Sequence, residues 1–200
     1  MQHGLVSWSM HSIAEEAGVA VKTLYNLFGS KDELVLKAGT QALSTLESSD
    51  AMADIEAGIP RLLAYVVATM EDFISAPKYA DAVISTLAKA DLEVQLADHH
   101  MGVVRRFAET SLKIAEQQGE LRPGVDITRL ATHISADQWG AVLLWVKGLL
   151  DVQALPDHVA LSHYMVLMPH TTGPRHQAME KEYKTLLAKS GLVASAIKST

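Results

Sequence analysis

The sequence predicts an all-α protein, and three observations carry that prediction. Apolar residues recur at helical spacing along nearly the whole chain. No stretch alternates apolar and polar residues for long enough to make a strand. The interruptions fall at glycine and proline, where helices start and stop. The chain divides at about residue 50 into a small N-terminal unit, 1–50, and a larger helical unit, 51–200.

Taken in order, short helices are expected near Ser9–Glu16 and Val19–Leu27. Ser30-Lys31-Asp32-Glu33 reads as a capping box, with the Ser30 hydroxyl as cap and Glu33 reaching back. The helix it opens runs to about Ser49. Pro60 suits the first turn of a helix reaching about Ser75, and Pro77 opens the next, ending near Ala90. Residues 93–118 form a long helix stopped by Gly119. "ELRPGVD" is a turn, and Asp126 starts another long helix through Leu150. "LPDHVALSHYMVLM" is a further helix, broken by "PHTTGP". The last, Arg175 to Lys189, ends at Gly191 before a small-residue tail expected to fray.

Composition bounds the function. Hydrophobic residues make up 48% of the 200 and charged residues 20%, ordinary for a soluble globular chain with a substantial core. The absence of cysteine removes disulfides and thiolate metal sites and fits a reducing cytoplasm. "MQHGLVSWSM" lacks the basic run and long apolar core of a secretory signal. Ala141–Leu150 is too short to span a bilayer and contains Lys147, so no membrane partner is expected. A net charge of −6 argues against a surface that coats nucleic acid throughout. Residues 1–40 set Lys22, Lys31 and Lys37 against Glu15, Glu16, Asp32 and Glu33, so any attraction for DNA must be local.

The stretch "SIAEEAGVAVKTLYNLFGSKDEL" fits a helix-turn-helix. Ala14 is the small residue at the crossing and Gly18 the turn residue, free to take positive φ. Ile13, Ala17, Val19, Leu24 and Leu27 are expected to lock the pair, with Trp8 stapled onto Ile13. With Leu24 and Leu27 inward, Lys22, Tyr25 and Asn26 face outward at i, i+3 and i+4. That is the layout of a recognition helix. Ala20 or Val21 would touch a thymine methyl, Lys22 would donate to guanine, and Asn26 would read adenine or bind phosphate. On spacing alone, the same residues also suit the solvated face of a plain helical hairpin.

"SMHSIAEEAGVAVKTLYNLFGSKDEL" resembles the N-terminal DNA-binding region of TetR-type (TetR/AcrR) bacterial transcriptional regulators. The matching elements are Ile13-Ala14, Ala17-Gly18-Val19, Thr23-Leu24-Tyr25, Phe28 and Ser30-Lys31-Asp32. The resemblance implies an N-terminal helix-turn-helix DNA-binding domain followed by a helical ligand-binding and dimerisation domain. It implies a ligand-responsive regulator, most often a repressor, binding a pseudo-palindromic operator as a homodimer. It implies that Tyr25 and Lys31 bind phosphates, with Ser9 near the DNA backbone. Ala20, Val21, Lys22, Thr23 and Asn26 would lie at base edges or the adjacent backbone. Two departures are visible. The family usually has Ser where Ala20 stands and a small residue where Lys22 stands. Its first helix is expected to be missing or truncated here, "MQHGLVSW" looking like the end of it. A small-molecule-binding or interaction protein that has lost DNA binding with that helix is therefore the alternative.

"GELRPGVDITRLATHISADQWGAVLLWVKG" looks like the family's turn into its first dimer helix. Leu130, Ile134, Trp139, Val142, Leu143 and Val146 exceed what one chain needs for its own core, so part of this surface is expected against a partner. An unknown small-molecule effector is expected among Tyr65, Met70, Phe73, Met101, Phe107, His133 and Trp139. No cofactor or metal is expected. His99 and His100 point about 100° apart on a helix and cannot share an ion. His133 and Asp137 sit at i and i+4 but have no evident third ligand. No phosphate-cradling glycine loop, Gly-x-Ser-x-Gly or His-Glu-x-x-His is present, so an enzyme is not expected.

Overall fold

The computed structural model describes residues 9–89 and 91–190. The Trp8 staple, the reading of "MQHGLVSW" and the fraying of the tail after Ser190 lie outside the described residues. Among those residues the chain is helical, and one isolated bridge, Leu121 to Thr171, is its only extended pairing. The α-helices are α1 Met10–Glu16, α2 Val21–Phe28, α3 Lys31–Glu47, α4 Asp50–Ala53, α5 Ile59–Ser75 and α6 Pro77–Leu87. They continue with α7 Val94–Gln117, α8 Ile127–Val146, α9 Leu155–Leu167 and α10 Gly173–Lys189.

Two hydrophobic clusters form. The small one buries Met10, Ala14 and Leu24, with Ile13, Val21, Phe28 and Leu34 packed on it. The large one takes α3–α10, with α7 lying along α8 and against α3, and α9 between α8 and α5. Helix α3 belongs to both, through Leu34 in the first and Val35, Leu36 and Leu43 in the second. The division at residue 50 therefore falls after a helix that both lobes share. Asp32, in the first turn of α3, pairs with Lys89 just beyond α6 at 2.7 Å and accepts from Thr86. An ion pair this exposed contributes at most about 1 kcal/mol. The continuous helix joins the lobes far more firmly.

Helix boundaries follow local chemistry. Ser9 caps α1 in a reciprocal pair with Ser12, each hydroxyl accepting the other's backbone N–H at 3.0 Å. Ser30 caps α3 as expected, accepting from Glu33 N–H at 3.1 Å. Its partner does not reach back. Glu33 instead pairs with Lys37 at 2.9 Å, because i, i+4 neighbours of opposite charge face each other on a helix. The stretch after α3 contains a short extra helix, α4, capped by Ser49. Helix α6 stops at Leu87 rather than near Ala90. Helix α8 stops at Val146 rather than Leu150, because Gly148 takes φ 72°. The Gly148 and Leu149 amides turn back onto the Trp145 and Leu144 carbonyls, ending the helix.

The apolar surplus on α8 is distributed differently from the expectation. Leu130, Ile134, Trp139 and Val142 are buried in the chain's own core, and Val146 is half-buried. The outward stripe is Ala136, Gly140, Leu143 and Leu144, and of the six residues expected to form the surplus only Leu143 is exposed on it. Leu143 and Leu144 are exposed, as are Leu149 and Met165 of α9.

Candidate nucleic-acid interface

The turn between α1 and α2 is made by Gly18 at φ 67°, whose amide returns to the Glu15 carbonyl at 3.2 Å. A side chain there would be strained. Ala14, almost fully buried, is the crossing point. On α2 each residue turns about 100°, so Val21, Leu24 and Phe28 form one face. They are the residues packed in the small cluster. The lock is thus Met10, Ile13, Ala14, Val21, Leu24 and Phe28. Ala17, Val19 and Leu27 are exposed, Leu27 by 65%, which corrects their expected inward role. Leu27 lies about 60° outside the inward stripe, and Phe28 takes the place assigned to it. Met10 was missed although it stands at i−4 to Ala14 on the same face.

The opposite face of α2 carries Lys22, Thr23 and Asn26, all exposed, with Tyr25 on one flank, 51% exposed. Ala20 precedes α2 without a side-chain cap hydrogen bond, the structural consequence of an alanine where the family usually has serine. Val21 is half-buried and packs inward, so it does not stand on the face expected to touch a thymine methyl. Lys31 is half-buried at the first turn of α3. Ser9 is exposed, its side chain engaged in the α1 cap. The ion pairs of this lobe engage Lys37 with Glu33 and Lys89 with Asp32. They occupy Asp32 and Glu33, the carboxylates that follow Lys31 in the chain, and among the described residues Lys22 and Lys31 have no carboxylate partner. A helix of this length, with polar and cationic groups outward and anchored by a leucine, fits the major groove.

Residues 1–38 match the family model for bacterial regulatory proteins, tetR family. The N-terminal domain is of the tetR type. No curated protein matches the chain. Solved structures share the tetR-type fold of the whole. The fatty acid degradation regulator FadR from Bacillus halodurans superposes with TM-score 0.66 at 19% identity, covering 83% of this chain and 90% of its own. FadR from Bacillus subtilis, solved with stearoyl-CoA, gives 0.62 at 20%, over 80% and 88%. A gamma-butyrolactone receptor described as ArpA-like gives 0.62 at 18%, over 94% and 88%.

In the larger lobe of this tetR-type fold, the residues expected around an effector divide into three groups. Tyr65, Met70, Phe73, Phe107 and Trp139 are buried together in the core. Tyr65 and Phe107 ring centroids lie 4.1 Å apart, and Phe73 meets Trp139 edge-on at 5.8 Å. Tyr65 donates to the Leu43 carbonyl of α3 at 3.3 Å, and burial pushes its hydroxyl pKa above the usual tyrosine range. Met101 is half-buried at the cluster's edge. His133 is exposed on the outer side of α8, so it does not join the interior group. Asp137, four residues on, accepts from Ser162 at 2.7 Å and faces His163 at 3.3 Å. Among the described residues no three ligating side chains gather.

Sequence reasoning missed His100, Tyr79, Thr69 and Gln138. His100 is fully buried, its ring 5.0 Å from Trp139 and its Nδ1 3.2 Å from the Thr40 hydroxyl of α3. A signal existed: His100, Val103, Val104 and Phe107 share one stripe of α7. Gln138 donates to the Thr69 hydroxyl, joining α8 to α5. A shallow cleft of about 570 Å³ lies outside this core, between α5, α9 and α10, and none of the expected effector residues lines it.

Burial lowers the His100 pKa to about 4, so it is neutral in the fold. His163 is lowered for the same reason. The unfolded chain binds these protons nearer 6.5, so it holds more protons between the two values. Stability is therefore full above the ordinary histidine range and falls as pH drops through it towards about 4. Urea midpoints at pH 7, 6 and 5 should decline. In His100→Phe the decline should be shallower by about one bound proton. An unchanged slope would refute a neutral buried His100.

Proposed function

We propose that this chain is a ligand-responsive transcriptional regulator, a repressor that binds a pseudo-palindromic operator as a homodimer. The observation that carries the reading is the outward face of α2. Lys22, Thr23 and Asn26 project from a helix anchored by Leu24, with Tyr25 and Lys31 beside them. Lys22 and Asn26 meet base edges in the major groove, while Tyr25 and Lys31 hold phosphates. One such helix reads only half a site, and two must stand about 34 Å apart to read a palindrome.

Helix α3 supports the regulatory part. Its N-terminal turn lies in the DNA-binding lobe, and its later turns carry Gly39, Thr40 and Leu43 against the effector-side core. An effector that binds one setting of α3 more tightly shifts the two recognition helices out of register. Operator affinity then falls by the effector's differential affinity for the two states. The outward stripe of α8, with Met165 of α9, supplies an apolar dimer face, and Gly140 has open space for a partner's close approach.

Fluorescence anisotropy separates the assigned contacts, using a duplex selected by the protein from a random library and a scrambled control. Lys31→Ala should weaken both duplexes alike and lower the salt slope by about one unit, since phosphates carry no sequence. Lys22→Ala should cost about 1–3 kcal/mol on the selected duplex and much less on the scrambled one. If no duplex is enriched over the starting library, the regulator reading fails.

A further inference from the structure

Among the described residues, seven buried polar atoms of the larger lobe have no hydrogen-bond partner: Glu120 Oε2, Asp137 Oδ2 and His163 Nε2 lie apart, and Tyr79 Oη, His100 Nε2, Gln138 Oε1 and Trp139 Nε1 lie on or beside the aromatic core. Three of the latter belong to one aromatic cluster. The Trp139 ring lies 5.0 Å from His100 and 5.8 Å from Phe73, and Phe73 stacks on Tyr79 at 6.0 Å. Tyr79 Oη and His100 also converge on α3, where a side chain at Gly39 would run into both. Gln138 precedes Trp139 on α8, its amide nitrogen already given to Thr69. Buried polar groups are almost always paired, so several unpaired in one neighbourhood call for a common explanation.

We propose that this cluster is the effector site, and that its effector is an uncharged, flat molecule bearing a phenol-type hydroxyl. The inference rests on the regulator reading and gives its effector a chemical class. Charge is decided by the side chains that line the cluster. Phe73, Tyr79, Gln138 and Trp139 carry no charge, and burial keeps His100 neutral. An ion buried among them would have no counter-charge, which strongly disfavours carboxylates and ammonium groups.

The polar pattern narrows the class further. Trp139 N–H can only donate, so the ligand must present an acceptor. Gln138 Oε1 can only accept. His100 Nδ1 faces the Thr40 hydroxyl, which leaves Nε2 as the unengaged ring nitrogen. The Gln138 oxygen therefore requires a donor from the ligand, while His100 Nε2 donates or accepts according to the tautomer of the ring. One hydroxyl on an aromatic ring does both. The ring itself matches the faces of Phe73 and Trp139.

Calorimetry on the whole protein, without DNA, tests this with three probes of one shape at neutral pH: naphthol, naphthoate and naphthylmethylamine. Naphthol should bind at least about tenfold more tightly than either ion. Tyr79→Phe, which removes a single oxygen from a half-buried ring, should weaken naphthol about tenfold. Trp139→Phe should do the same, and circular dichroism shows whether it keeps the fold. If it does not, Tyr79→Phe decides alone. Either ion binding as tightly as naphthol, no naphthol binding up to its solubility limit, or no effect of Tyr79→Phe would overturn the assignment. The selected-duplex assay runs beside it. DNA binding without naphthol selectivity overturns the effector class alone, and naphthol selectivity without DNA binding overturns the regulator reading alone.

Discussion

Leu24→Ala should abolish sequence-specific DNA binding while leaving the larger lobe folded. Leu24 is the one buried side chain that α2 gives to the small cluster, where it meets only Met10 and Ala14 as fully buried partners. Truncating a buried leucine costs about 2–5 kcal/mol, part of it for the cavity left behind. Among the described residues this cluster has three buried members, so it has little reserve against such a loss, and the large cluster shares none of them. Hydrogen exchange should therefore lose protection across residues 10–28 and keep it across α5, α7 and α8. Loss of protection throughout would show that the two clusters unfold as one unit, and full DNA binding would remove Leu24 as the anchor of the recognition helix.

Leu144→Glu should convert a dimer into a monomer. Light scattering on the parent at micromolar concentration should give about twice the 21.7 kDa chain mass. Leu144 is 39% exposed on the outward stripe of α8, beside Leu143 at 41%. A carboxylate placed twice across a two-fold axis would be desolvated and would face its own copy, weakening association by about a hundredfold or more. Because Leu144 is not part of the chain's own core, the melting behaviour of the monomer should change little. Val142→Glu is the contrasting variant: Val142 is fully buried, so the charge should unfold the chain rather than separate two folded ones. A parent that scatters as a monomer would remove the dimer and, with it, the two-half-site operator.

The recognition motif was legible because it is local. Gly18 needs positive φ, Ala14 needs to be small where two helices cross, and Ser30 needs a free backbone amide to cap. Each requirement is met within a few residues of itself. Helix order was readable for the same reason, with glycine and proline marking nearly every end. Errors began where two faces competed for one apolar residue. Leu27 and Phe28 are adjacent and both apolar, and only the packing of α2 on α1 decides which is inward. Trp139, Val142 and Leu143 presented the same ambiguity on α8.

By itself, then, the sequence determined an all-α chain, a helix-turn-helix with Lys22, Tyr25 and Asn26 on its outer side, and the position of nearly every helix. Those features arise from backbone geometry and 3.6-residue periodicity, which neighbouring residues express alone. Only the tertiary structure decided that α3 is shared by both lobes, that the free apolar face of α8 is Leu143 and Leu144, and that His100 meets Trp139, Tyr79 and Gly39. These depend on contacts between residues far apart in the chain. A side chain's meaning there is set by which helix arrives opposite it, and periodicity along one helix carries no record of its neighbour.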